Sequence, residues 1–169
     1  MKNVFKRENF AISLIIGLTI TIGVVLIEQI LKIITFTLAQ DTNKYLIFGE
    51  FLKLVNEKNY GFMGLDVNYI ILSVILAAAF VMFLLLGLFA DFTKAPLFST
   101  GVFLICGSCL AFLVDRIAVG YSLNYLSIAS IPAFSFSHIA VIFGALLLVL
   151  DLVFAVKKNE KDAAIELGE

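Results

Sequence analysis

Four long stretches without formal charge constrain this chain more than any other feature. Residues 9–27, 67–90 and 95–114 contain no Asp, Glu, Lys or Arg, and residues 117–150 are interrupted only by His138. A bilayer hydrocarbon core about 30 Å thick takes roughly 20 apolar residues as helix. A helix is also the element that satisfies its own backbone hydrogen bonds where lipid cannot. The chain has 169 residues, 62% of them hydrophobic, and a mean hydropathy of +1.07. That composition lies outside the range of a soluble domain of this size. The expected fold is an all-α polytopic membrane protein with four transmembrane helices at about 10–30, 68–90, 96–115 and 135–155. They form a single domain over 1–169, because four spans leave too little chain for a separate soluble one.

Charge placement sets the expected orientation. Lys2, Lys6 and Arg7 precede the first span, and Lys157, Lys158 and Lys161 follow the last. An even number of spans puts both ends on one side, which the positive-inside rule makes cytoplasmic. The first apolar run exceeds the usual length of a secretory h-region, so it reads as an uncleaved anchor. The net charge of −1 gives no reason to expect nucleic acid as a partner; the lipid bilayer is the expected one.

The polar outer loop, about 40–67, holds the run Glu50-Phe51-Leu52-Lys53-Leu54-Val55, which fits a short strand of a small sheet at the membrane surface. The segment from Tyr121 to Pro132 breaks helix between spans three and four. The charged tail at 157–169 is expected to be disordered. Cys106-Gly107-Ser108-Cys109 has the spacing of a redox pair. Relays of that kind use two pairs, and the alternative is a row of small residues for close helix packing.

The chemistry-bearing side chains cluster at span ends. Asp115 ends span three, with Arg116 beside it, and His138 lies in the first turns of span four. An ionisable residue at such a depth is a functional hint. If spans three and four are antiparallel neighbours, Asp115 and His138 face each other, and Glu28 approaches from span one. Glu28 and Lys32 are spaced i, i+4 and can pair. Taken singly, each has a structural alternative: an interfacial Asp–Arg pair, a histidine bonded across a helix junction, or a solvated helix end. Glu28, Asp115 and His138 are ligand types for a metal, but no spacing motif calls for a metal or another cofactor.

Read in order, these residues resemble the lipoprotein signal peptidase family, signal peptidase II. The quoted runs are Glu28-Gln29-Ile30-Leu31-Lys32, Asn59-Tyr60-Gly61, Gly107 through Asp115-Arg116, and Phe134-Ser135-Phe136-Ser137-His138 with Gly144 six residues on. The resemblance implies a bacterial inner-membrane aspartyl protease acting on prolipoproteins. It implies catalytic carboxylates at 115 and 138, with Glu28, Lys32, Asn59, Gly61, Phe112, Arg116 and Ser135 lining the site. The chain departs from the pattern where chemistry matters. His138 replaces an aspartate, Phe112 and Ser135 replace asparagines, and Glu28 stands for aspartate.

An aspartyl dyad works because two close carboxylates share one proton, leaving one as base and the other as acid. An imidazole beside Asp115 is expected instead to become imidazolium in a buried ion pair. The sequence therefore points to a divergent member without ordinary aspartyl-protease activity, binding a prolipoprotein signal segment, another acylated partner or another membrane protein. The alternative is an active membrane-embedded endopeptidase of this type, with Asp115 and His138 doing the chemistry.

Overall fold

The computed structural model describes residues 10–38, 44–49, 51–61, 68–129 and 131–166. Its helices are α1 (Phe10–Leu38), α2 (Tyr69–Gly87), α3 (Pro96–Val119) and α4 (Phe136–Glu166). Each is long and apolar enough to cross a membrane, α4 through its part Phe136–Asn159. Most outward faces carry large apolar residues, such as Ile12, Ile15, Ile22, Ile71 and Ile142. Helices apolar on their solvent-facing side belong in lipid.

Helix α3 is the centre of the bundle and packs on each of the other three. Its small residues allow this. A methyl placed on Gly101 would sit 2.7 Å from the Gly144 carbonyl oxygen of α4, so these two backbones touch directly. The ring of Phe103 fills the space beside Gly17 of α1. Cys106 and Cys109 lie on this packing face, buried and unpaired. They serve as small apolar residues where helices meet, which is the packing alternative to a redox pair.

Three helices run past their expected spans, α1 continuing to Leu38. α3 runs a turn past Asp115, because Ile117-Ala118-Val119 continues it and the first residue able to stop it is Gly120. That glycine takes the left-handed conformation at φ 79° and donates to the Arg116 carbonyl at 3.0 Å. α4 continues through the charged segment to Glu166, where disorder was expected. The run Lys157 to Glu166 contains strong helix formers and neither Gly nor Pro, so nothing terminates the helix.

Three antiparallel strands cover one end of the bundle in the order β1 (Lys44–Phe48), β2 (Leu52–Asn59), β3 (Ser122–Ile128). The expected strand at 50–55 is the start of β2, entered through a turn at Gly49 (φ 56°); Glu50 lies outside the described residues. Strand β3 comes from the connection between α3 and α4. It pairs with β2 in the register Glu57↔Asn124, Lys58↔Leu123 and Asn59↔Ser122. Phe134 extends the pairing by exchanging two 2.8 Å backbone bonds with Leu126. The sheet thus fixes the chain between α3 and α4 and sets residues 59–61 against the end of α3.

Candidate functional site

The buried charges form one continuous cluster where α1, α3 and α4 meet below the sheet. Glu28 is fully buried, Asp115 is 6% exposed, and Lys32 lies between them. The ammonium of Lys32 sits 2.8 Å from Glu28 Oε1, one helical turn away, and contacts Asp115 Oδ2. Asp115 also accepts from Gln29 Nε2 (3.2 Å) and from Ser122 Oγ (3.1 Å). Its carboxylate is thereby held by an ammonium, a carboxamide and a hydroxyl. One buried cation serves two buried carboxylates.

Glu28 uses its other oxygen to cap α4. Oε2 accepts from the Ser137 backbone N–H at 2.9 Å and from the Tyr125 hydroxyl at 3.1 Å. The same hydroxyl accepts the Phe136 N–H at 2.9 Å. Two orphan donors of the first turn of α4 are so satisfied by groups from α1 and β3. A carboxylate at a helix N-terminus is also favoured by the helix dipole. Burial, with Glu28 next to it, pushes the Tyr125 hydroxyl well above the ordinary phenol range, so it stays protonated and donates to Glu28.

His138 stands in the same first turn and does something else. Its Nδ1 accepts the Ser135 backbone N–H at 3.2 Å and lies 3.0 Å from Ser135 Oγ. This is half of a capping box, with an imidazole where Glu or Gln usually stands. An amide N–H can only donate, so Nδ1 meets it with its lone pair and the ring hydrogen sits on Nε2. The imidazole is neutral. Phe112 packs edge-on against it, with ring centroids 4.7 Å apart at 69°.

The expected Asp115–His138 pair is not formed. Among the described residues the two share no hydrogen bond or ion pair, and they line different cavities. Asp115 lines one of about 350 Å³ together with Gln29 and Lys32. His138 lines one of about 900 Å³, where the neighbouring buried polar residue is Asn124 from β3. The reason is that Lys32 and Gln29 hold the Asp115 side chain toward α1, while the capping bond turns the imidazole toward Ser135. Glu28 lies between, joined to Asp115 through Lys32 and to α4 through Ser137.

Arg116 holds the sheet to the bundle. Its guanidinium donates to the carbonyls of Tyr60 (3.3 Å) and Gly61 (2.9 Å). Asn59 Oδ1 accepts the Gly61 N–H at 3.1 Å, an Asx turn that presents those carbonyls to the arginine. Asn59 and Gly61 also line the larger cavity. Sequence reasoning missed Ser122, Asn124 and Tyr125. The available signal was polar residues in an uncharged stretch followed by Pro132, together with the alternation of a short strand.

Comparison with known proteins agrees with this architecture. The family described as Signal peptidase (SPase) II matches residues 20–154. A solved bacterial membrane enzyme, determined by the in meso method at 2.3 Å resolution, is 17% identical. It superposes with a TM-score of 0.66 over 84% of this chain and 90% of that one. A second bacterial membrane enzyme, solved by the same method at 1.9 Å, is 18% identical, with a TM-score of 0.62 over 80% of this chain and 91% of that one. No curated protein matches the sequence. The family match spans most of the chain and includes α3, β3 and the start of α4, where the buried cluster lies: this multi-pass membrane protein belongs to the signal peptidase II family.

Proposed function

We propose that this chain is a non-hydrolytic member of its family, which holds an acylated membrane-embedded partner, such as a lipoprotein signal segment, in the larger cavity without cutting it. One observation carries the reading. The polar side chains at the inner end of that cavity are a buried carboxamide, Asn124, and a half-buried neutral imidazole, His138. An aspartyl protease needs two carboxyl groups sharing one proton across the scissile bond. Here the nearest buried carboxylates are engaged elsewhere, Asp115 with Lys32 and Glu28 with the N-terminus of α4. Glu57, the carboxylate that lines the cavity among the described residues, is exposed at its rim.

In this reading the sheet faces the outside, both termini lie in the bacterial cytoplasm, and α4 presents an apolar wall to the bilayer. Ile139, Ile142, Phe143 and Leu146 extend the cavity along the membrane-spanning part of α4. The bacterial inner membrane is the compartment that goes with the family.

The test is binding against turnover on one preparation. Purified protein in lipid nanodiscs is mixed with a diacylglyceryl-modified prolipoprotein. The expected result is retention of the prolipoprotein with no cleaved signal peptide. Turnover by the wild-type chain, or rescue of lipoprotein maturation in cells lacking their own signal peptidase II, would overturn the proposal.

A further inference from the structure

The sheet ends in an apolar tip left uncovered among the described residues. Phe48 is 75% exposed and Phe51 61% exposed. The Phe51 N–H donates to the Phe48 carbonyl at 3.2 Å, so the two rings stand at either end of one tight turn. Ile47 beside them is exposed as well. The Ala129 N–H donates to the Phe51 carbonyl at 2.8 Å, which brings the segment after β3, with exposed Ile131, to the same end of the sheet. The polar residues of β2, Asn56 to Asn59, lie at the opposite end of that strand. Turns that face water are built from Gly, Asn, Asp, Ser and Pro. Large apolar side chains gathered at one sheet end mark a contact surface instead.

We propose that this tip sits in the bilayer, with the Phe48 and Phe51 rings at the level of the glycerol and the first acyl carbons, on the sheet's side of the membrane. Continuity selects lipid as the occupant. Ile131 belongs to the tip and also to the wall of the larger cavity, which continues along α4 through Ile139 and Ile142. That part of α4 is long and apolar enough to cross a membrane. The apolar surface of the tip therefore adjoins one that lipid covers. Two features bound the depth. β1 is the edge of the sheet, and an open edge keeps its free backbone groups out of hydrocarbon. Glu50 and Lys53 flank Phe51 in the sequence, and ionised groups are costly below the headgroups. The rings enter while the backbone stays in the wet interfacial layer, the level at which aromatic side chains concentrate in membrane proteins. The sheet is then attached at two places, to α3 through Arg116 and to lipid through its tip. This contact is independent of whether the cavity holds or cuts its partner.

The chain contains no tryptophan, so Phe48→Trp introduces a single one. The full-length variant is placed in nanodiscs of phosphatidylcholine brominated either near the glycerol or near the terminal methyl of the acyl chain. Ile22→Trp, at an exposed apolar position near the middle of α1, gives the deep reference. Emission is read with and without iodide in the buffer. The expected result for Phe48→Trp is blue-shifted emission, quenched about twofold more strongly by the upper bromine than by the lower, as an interfacial ring requires, and quenched little by iodide. Phe51→Trp is expected to behave likewise, and it carries the test should Phe48→Trp fail to fold. Emission typical of tryptophan in water, with strong iodide quenching, overturns the lipid contact when Ile22→Trp is quenched by bromine in the same preparation. Blue-shifted emission quenched by neither bromine nor iodide assigns the tip to a protein partner or a second copy and also overturns it. Stronger quenching by the lower bromine overturns the shallow placement.

Discussion

Replacing Lys32 by methionine removes the one cation that holds two buried carboxylates. The side chain keeps much of its length and its stem packing, so the perturbation is mainly electrostatic. Lys32 is itself buried, Glu28 is fully buried, and Asp115 is 6% exposed. Neither carboxylate can turn to water without leaving its hydrogen bonds to Ser137 and Tyr125 or to Gln29 and Ser122. Removing one partner of a buried ion pair costs about 3–5 kcal/mol, because a charge is left uncompensated. That is a large share of the roughly 5–15 kcal/mol that keeps a domain folded.

The expected result for Lys32→Met is a loss of about 3–5 kcal/mol in reversible unfolding, read in mixed micelles by circular dichroism against denaturant. Adding Asp115→Asn removes one of the stranded charges; its one carbonyl oxygen still accepts from Gln29, and its NH2 donates to the Ser122 hydroxyl, which can turn to accept. The double variant should then be more stable than the single by about 1–2 kcal/mol, a coupling typical of residues in one network. A Lys32→Met change within about 0.5 kcal/mol of wild type, the size of an ordinary surface substitution, would refute the claim that this lysine neutralises the cluster.

Three further outcomes follow from the contacts. Arg116→Lys loses the fork that grips two carbonyls, so amide exchange at residues 52–61 should speed up while α3 and α4 stay protected; unchanged exchange there would deny the clamp. Tyr125→Phe removes the acceptor of the Phe136 N–H and a donor to Glu28, and should cost about 1–3 kcal/mol, checked by the same unfolding assay and contradicted by a neutral result. Asn124→Asp with His138→Asp sets two carboxyl groups on the larger cavity and should yield prolipoprotein cleavage, whereas His138→Asp alone, which relies on Asp115 as partner, should not; equal activity of the two variants in a gel-shift assay would show that Asp115 does reach this cavity.

The spans were legible because lipid imposes a simple rule: about 20 uncharged apolar residues per crossing. The first sheet hairpin was half legible, since Leu52 to Val55 alternates only imperfectly. Strand β3 was hidden for a physical reason. Its inward residues include Ser122, Asn124 and Ser127, of which Ser122 donates to Asp115 and Asn124 to the Ala133 carbonyl rather than filling a greasy core. A strand that turns polar residues inward reads as a loop. The motif order led to the right family; it paired Lys32 with Glu28 and set Asp115 facing His138, whereas the structure sets Lys32 between Glu28 and Asp115 and turns His138 to Ser135. Motif order says which residues lie at one depth. It does not say toward which neighbour each side chain turns, and here two local contacts decide that, Lys32 on Asp115 and Ser135 on His138.

The way the charges are spent also bears on what the cavity can do. Glu28, Lys32 and Asp115 carry a formal charge of −1 between them, and all three are turned into the protein where α1, α3 and α4 meet. Arg116 is likewise committed, gripping Tyr60 and Gly61. At the inner end of the larger cavity the polar groups, Asn124 and His138, are neutral, and along α4 the wall is hydrocarbon, with Glu57 and Lys58 exposed. A protease site must hold a charge poised to take a proton from water, at a desolvation cost that binding or folding has to offset. A holding site has no such need, and neutral polar groups suit it better, because they can be buried against an apolar chain without stranding a charge. The same economy explains the histidine. At position 138 a carboxylate could also cap Ser135, but it would add a third anion near Glu28 and Asp115, whose shared buried cation, Lys32, is already engaged. A neutral imidazole performs the cap and adds no charge to the inner end of the cavity.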